Sequence, residues 1–424
     1  MPRFLLIVPI YAASLVMGAG QRTFHLYRAL ARMGTVDMLL MSEPVYAAIE
    51  ADLATIRRDY AEAGEISIRH STRQFVVPPP QRSVISRVVY FGQRLLQAIR
   101  PRAHFYRPTR DAAEALVGSI ELNGYDVLVA RYLKSAAISG ALAQDRIPVV
   151  VDLDDLDEIV LESKIKSRTT PLVRKIMLWN HARQVRIEAR RLRAKCAHVF
   201  TASEPDRALL GLSASSVLPN IPFRPAPIET AALPASISVA APVILFVGTH
   251  MHAANRDGLR HFVAHCWPSI RDRVPDARLR IVGSGAWESE RELLGTAPGI
   301  EIVGAVRELE SEYAGAALCI VPLLEGSGTK IKVLEALMYG RPVVASQHST
   351  RGFEALLGKG LVGAADDSQI VQQCVEHLRD VESGRARALR GREQVAVDYS
   401  DESVLRSVRL GVESAMRSAV VASA

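Results

Sequence analysis

The segment Ile320–Ser346, IVPLLEGSGTKIKVLEALMYGRPVVAS, leaves its part of the chain little choice of fold. An apolar run, Leu318–Leu323, enters the turn Gly326-Ser327-Gly328. A helical pattern follows, Gly340 ends it, and a second apolar run occupies Pro342–Ala345. Two short apolar strands joined through one helix lie parallel, so the segment predicts a strand–loop–helix–strand unit of a parallel sheet. The glycines let backbone approach a ligand closely, and a helix beginning near Thr329 aims unpaired N–H groups at it, which suits a phosphate. Lys332 and Glu335 fall on the helix face that begins at Gly328, which puts Glu335 roughly 10 Å from the phosphate end at about 1.5 Å rise per residue. A cation near phosphates and a carboxylate at a ribose's distance describe a nucleoside diphosphate site. The same spacing also fits a solvated glutamate on a helix whose glycines only turn the chain.

The alternation continues on both sides of this segment. Strands are expected at Phe4–Val8, Val36–Met41, Val127–Ala130, Pro148–Asp152 and His198–Ala202. A second series runs Val243–Val247, Arg278–Val282, Ile300–Val303, Leu318–Val321 and Pro342–Ala345. Between the series lies Ile221–Pro242, rich in proline and alanine and poor in charge, which reads as a linker. A chain of 424 residues exceeds what one core usually supports. The expectation is therefore α/β, with two doubly wound parallel sheets. The apolar run after Arg3 could pass for a signal peptide, but Pro9 interrupts it and it is short for a membrane span. A buried first strand is the better reading, followed by a helix that Gly18-Ala19-Gly20 opens and Gly34 stops. The four cysteines are widely spaced without a metal pattern, as in a reducing cytosol.

Together these residues resemble the group 1 retaining glycosyltransferases of GT-B fold, of the bacterial surface-polysaccharide type. The Gly-rich loop followed by Leu334-Glu335-Ala336 carries the likeness most specifically. Leu245–Thr249 and Ile281–Gly285 resemble the turns that face the diphosphate, Leu218-Pro219-Asn220 the end of the first domain, and Tyr399–Glu402 the approach to a final crossing helix. The resemblance implies two Rossmann-like domains facing across a cleft. Residues 1–222 would bind acceptor, 223–241 link, 242–400 bind a nucleotide sugar, and 401–424 form a helix returning to the first domain. It implies a donor of UDP or GDP type on Gly248, Thr249, Gly283, Gly326, Ser327, Gly328, Thr329, Lys330 and Glu335, with Glu335 on the ribose. No cofactor and no metal are implied.

Two departures qualify that pattern. The family's first glutamate would fall on Ser327, eight before Glu335, and Glu325 lies two residues earlier, in reach of the sugar-contact role. The family's Arg and Lys after the GT turn have no equivalents in Gly248–Arg256, which leaves Lys330 and Lys332, with Arg256 as a weaker candidate, to neutralise the leaving diphosphate. On the acceptor side the resemblance points to Gly18, Gly20 and Arg22. Val151–Asp157 holds four aspartates after a strand, with Asp152 and Asp154 on one side. Asp154 is placed to orient or deprotonate an acceptor hydroxyl, with Asp152 supporting it. Magnesium chelation by the cluster and plain helix capping are the rival readings.

Charge is uneven. The chain carries +7, and eleven Lys or Arg against Glu188 alone lie between Lys164 and Lys195. The helical stretch Leu172–Ala197 reads as basic and amphipathic, suited to an anionic membrane surface or simply to solvent. Arg183, Arg186, Arg190 and Arg193 would form its stripe. No nucleic-acid motif accompanies the charge. The expected partners are thus a nucleotide sugar, a lipid-linked or saccharide acceptor and an anionic membrane, in the cytoplasm or on the inner face of the plasma membrane. A nucleotide-sugar epimerase or a non-catalytic binding protein on the same fold remain the alternatives. An NAD dehydrogenase is disfavoured because no further glycine follows Gly18-Ala19-Gly20 at the fingerprint spacing.

Overall fold

Short apolar runs bounded by Gly, Pro or Asp become buried parallel strands, and the amphipathic stretches between them become the helices that cover both faces. The computed structural model describes residues 1–15, 18–42, 53–70, 124–166, 172–221, 241–290, 294, 297–326 and 329–423. Residues 222–240 of the linker lie outside these residues, as do Ser327 and Gly328.

Contacts divide the chain into two units, Met1–Pro219 with Asp401–Ala424, and Asn220–Ser400. In the first, β1 (Arg3–Pro9), α1 (Gly18–Ala31), β2 (Thr35–Ser42), α2 (Leu53–Asp59) and β3 (Ile66–His70) precede β4 (Val127–Arg131) and α3 (Leu133–Ile138). Next come β5 (Val149–Leu153), α4 (Asp157–Lys166), α5 (Leu172–Arg193), β6 (His198–Thr201), α6 (Glu204–Leu210) and β7 (Ser215–Val217). The sheet order is β3-β2-β1-β4-β5-β6-β7, with every pair parallel.

The second unit runs β8 (Val243–Val247), α7 (Ala253–His265), α8 (Trp267–Arg273), β9 (Arg278–Val282), β10 (Ile300–Gly304), α9 (Glu310–Gly315) and β11 (Leu318–Val321). It ends with α10 (Ile331–Met338), β12 (Val343–Ser346), β13 (Leu361–Ala364), α11 (Asp367–Arg379) and α12 (Val381–Asp398). Its six strands are parallel in the order β10-β9-β8-β11-β12-β13. Both sheets are doubly wound, as the alternation predicts. The order reverses between β1 and β4 in one and between β8 and β11 in the other, and these are the crevices where such sheets bind ligands.

Three strands escaped the sequence reading. β3 and β7 are short, polar edge strands, and Gly363 breaks the apolar run of β13. Helix boundaries also shift. α10 begins at Ile331, two after Thr329. Thr329 instead accepts a hydrogen bond from Asn220 Nδ2 at 2.8 Å. Helix α5 ends at Arg193, short of Ala197.

The last helix, α13 (Asp401–Ser423), belongs to the first unit. Its start is tied to α1 by His25 and Arg28, each 3.1 Å from Asp401, and by Arg32, 2.8 Å from Glu402. Midway along it, a Cβ on Gly411 would lie 2.4 Å from the ring of Phe200, which is fully buried in β6. Gly411→Ala should therefore cost about 1–3 kcal/mol despite alanine's better helix propensity. A urea melt showing equal or higher stability would mean the Phe200 ring has room to move.

Candidate functional site

In the second unit the turns after β8, β9 and β11 meet at the switch point. Gly248 N–H donates to Val282 O at 2.9 Å, and Gly248 O accepts from Trp287 Nε1 at 2.9 Å. Gly283 has φ +148°, and a Cβ there would fall 2.0 Å from Gly248 O, so only glycine allows the two turns to touch. Thr249 Oγ1 donates to Ser284 O at 3.2 Å. Gly248, Thr249 and Gly283 are thus brought together.

Helix α10 reaches into the same place. Lys332 Nζ donates to Asn255 Oδ1 at 2.6 Å, and Asn255 Nδ2 donates to Thr249 O at 3.0 Å. The Lys332 ammonium lies 5.1 Å from the centroid of the Phe246 ring, and a Cβ on Gly248 would come within 3.1 Å of it. Lys330 approaches from the Gly-rich turn, where a Cβ on Gly326 would lie 3.7 Å from its Nζ. Asn255 therefore bridges the turn after β8 to a lysine 77 positions away. That bridge puts a cation beside a turn whose own sequence lacks one. Arg256, the weaker candidate, faces Asp257 at 3.6 Å instead.

The electrostatics follow from this crowding. Burial pushes the Lys332 ammonium down to about 7; Glu335 opposes the shift and Lys330 adds to it. Burial, then Lys332 and Lys330, lower the pKa of His252. Burial and Lys330 likewise lower that of His348, whose Nε2 lies 2.8 Å from Gly326 O. Two lysines and two neutral imidazoles around a Gly-rich turn make a positive, donor-rich lining that suits an anion. Glu335 is half-buried and accepts from the Tyr313 hydroxyl at 3.3 Å. Burial raises its pKa while Tyr313 and Lys332 work against the rise. Glu325 is half-buried and near enough to His348 to act on its charge. Sequence reading gave no signal for His252, His348 or Tyr313, because their relevance comes from packing between distant segments.

The first unit carries a separate constellation at its own switch point. Asp152, at the end of β5, is fully buried and pairs with two buried arginines. Arg22 grips it with Nε at 3.0 Å and Nη2 at 2.6 Å and donates from Nη1 to Leu218 O at 2.8 Å. Arg131 Nη1 donates to Asp152 Oδ2, the oxygen that Arg22 Nε also bonds, while Nη2 reaches Asp154 at 3.3 Å. Burial works against the Arg131 charge, yet Asp152 and Asp154 carry its pKa above the ordinary value. Asp152 and Arg22 are thus enclosed and position their neighbours, and Asp154 is the carboxylate of this group with residual exposure, 15% of its side chain.

Gly20 is where α1 crosses the preceding loop, since a Cβ there would lie 1.8 Å from Ser14 O; Gly18 opens the helix. Arg131 and its neighbour Tyr132 were missed. Tyr132 has φ 65°, the one non-glycine among the described residues in that region. Its ring stacks on Tyr11 at 6.2 Å and lies under the Arg131 guanidinium at 4.6 Å. Such strain costs roughly 1–3 kcal/mol and persists only where neighbours over-determine it, often at functional sites. Among the described residues no three His, Cys, Asp or Glu side chains are grouped so as to hold a metal ion.

Residues 241–380 match the family described as glycosyl transferases group 1. Among curated proteins, the chain is 24% identical over 172 residues to an uncharacterized 44.6 kDa protein in the cps region of Klebsiella pneumoniae, covering 39% of this chain and 44% of that one. It is 29% identical over 116 residues to the sulfoquinovosyl transferase SQD2 of Arabidopsis thaliana, covering 26% of this chain and 22% of that one. The matched stretches thus span less than half the length of these relatives. Among solved structures, sucrose-phosphate synthase from Thermosynechococcus elongatus superposes with a TM-score of 0.64 at 16% identity, covering 100% of both chains. Anabaena Alr3699/HepE, solved in complex with UDP and glucose, superposes with a TM-score of 0.59 at 13% identity, over 98% of this chain and 100% of that one. The fold is GT-B.

Proposed function

We propose that this chain is a glycosyltransferase that moves a sugar from a nucleoside-diphosphate donor to an acceptor hydroxyl, with retention at the anomeric carbon. The observation that carries this reading is Lys332, held through Asn255 beside the Gly248–Thr249 turn that Gly283 touches at the switch point of the second unit, with Lys330 near enough to act on its charge. The group 1 family match covers the same segment. In this reading the bond from the anomeric carbon to the phosphate oxygen breaks, and the acceptor oxygen bonds to the same face. The acceptor proton passes to the leaving phosphate, so front-side attack needs no enzyme nucleophile.

Each residue has a role in that chemistry. Lys330 and Lys332 offset charge as the diphosphate leaves, which is worth most in a partly desolvated site. Glu335, held by Tyr313, accepts from the ribose hydroxyls, and Glu325 contacts the sugar. Gly326, Ser327 and Gly328 are assigned to the phosphates in this reading. Residues 242–400 then form the donor domain and 1–222 the acceptor domain, with Asp154 handling the acceptor hydroxyl at a site shaped by Arg22, Asp152 and Gly20. A lipid-linked or saccharide acceptor in surface-polysaccharide or glycolipid assembly fits the basic first unit. The likeness to a protein that binds UDP favours a uridine donor.

A thermal-shift panel of UDP, GDP, ADP and dTDP tests the donor class. A ligand at a hundred times its Kd stabilises by roughly 2.7 kcal/mol, and UDP should give the largest shift. No shift with any of the four would sink the reading. Glu335→Gln keeps the Tyr313 hydrogen bond and removes the charge, so it should weaken nucleotide binding by roughly 1.5–3 kcal/mol with little change in folding. Calorimetry returning the wild-type Kd would remove Glu335 from the site.

A further inference from the structure

We propose that the solvent-facing side of α5 docks on an anionic lipid bilayer, and that its apolar first half inserts among the headgroups. Leu172, Ile176 and Trp179 are 74%, 64% and 62% exposed. Spaced by four and three residues, they stand on one helix face. Ile187 continues that face at 46% exposure, and Arg183, Arg186 and Arg190 are exposed beside it. The opposite face, with Ala182, Val185 and Ala189, is buried, and Val185 and Ala189 join the core under β4 and β5. The helix is therefore anchored by one side and presents an aromatic, aliphatic and cationic surface on the other.

The stripe differs from the one the sequence suggested. Arg193 is buried and bonded to Glu158 at 2.5 Å, so it does not face outward. Arg186 is paired with Glu162. The free charge on this face thus centres on Arg183 and Arg190, with Lys175 half-exposed beside Ile176. Within α5 seven Lys or Arg stand against Glu188 alone, so the surface complements a negative partner. A bilayer interface accepts a tryptophan and aliphatic side chains together with cations, which a purely polar anionic partner does not. No described helix is long and apolar enough to cross a membrane, so attachment here is lateral.

Vesicle co-sedimentation and Trp179 fluorescence test this directly. The other two tryptophans, Trp267 and Trp287, are buried at 1% and 0% exposure, so an emission shift on vesicle addition reports Trp179. Vesicles of phosphatidylcholine with phosphatidylglycerol should bind the protein and blue-shift its emission, and phosphatidylcholine alone should not. Leu172→Ser/Ile176→Ser/Trp179→Ser should reduce co-sedimentation at least tenfold while leaving the melting curve unchanged. Arg183→Gln/Arg190→Gln should weaken binding and flatten its fall with added salt. Equal co-sedimentation by the triple variant, or no emission shift, overturns the proposal. So does self-association without vesicles that the triple variant abolishes, which would assign the face to a second copy of the chain. Nucleotide-induced thermal shifts, which report on the other unit, should survive in the triple variant, so failure here is distinct from failure of the transferase reading.

Discussion

Asp152→Ala should destabilise the first unit by about 3–5 kcal/mol, the usual cost of leaving a buried charge without its partner. Two buried cations share this carboxylate. Arg22 is 3% exposed and Arg131 is 0% exposed, and Asp152 itself is fully enclosed. Asp154 lies 3.3 Å from Arg131 and 4.0 Å from Arg22, too far from the second to replace a bidentate contact. Asp152→Asn keeps an oxygen acceptor and should cost less, which separates lost charge from lost shape. Arg131→Met in the Asp152→Ala background should recover part of the loss, because one stranded cation is removed with the anion. Urea unfolding followed by a probe of the first unit reads all three. A loss under about 1 kcal/mol for Asp152→Ala would mean that water reaches these arginines, since exposed pairs contribute little.

That cluster also shows which parts of the protein were legible in the sequence. Local signals sufficed for the central strands, for the helix that Gly340 ends, and for the placing of Asp152 at the end of β5. Each is set by periodicity or by a residue with a specific backbone requirement. What the sequence could not show was partnership across long separations. Arg22 and Asp152 are 130 positions apart, and Lys332 and Asn255 are 77 apart. A cation missing from the Gly248–Asn255 turn looks like a defect until α10 is seen to deliver one. Arg131 closes an otherwise apolar strand, and a charge at a strand end gives no hint of whether it meets solvent or a buried carboxylate. The strain at Tyr132 is equally silent, because no local pattern demands a left-handed tyrosine. The polar edge strands β3 and β7 failed for another reason, since half-exposed pairing leaves too little apolar contrast to detect.

Lys332→Met should lower kcat by about 10²–10³, the range for losing one donor aimed at developing charge, and should remove a pH dependence from nucleotide binding. Enclosure lowers the Lys332 pKa from the ordinary 10.5 to about 7. Between those values the unfolded chain holds a proton that the folded chain has released. The wild type should therefore gain stability as pH rises from about 7 toward 10.5, and the methionine variant should lack that gain. Binding has the opposite slope. A diphosphate favours the charged ammonium, so above pH 7 each binding event takes up a proton and affinity falls by up to tenfold per pH unit. The ligand's terminal phosphate ionises near pH 6, so it adds no slope in this window. Burial and the neighbouring lysines keep His252 and His348 below their ordinary pKa, so they are already neutral there. Lys330→Met serves as the comparison, since its removal should ease the repulsion on Lys332 and move the onset of the slope upward. Calorimetric affinities for UDP that stay flat from pH 7 to about 9 in the wild type would place the diphosphate away from Lys332.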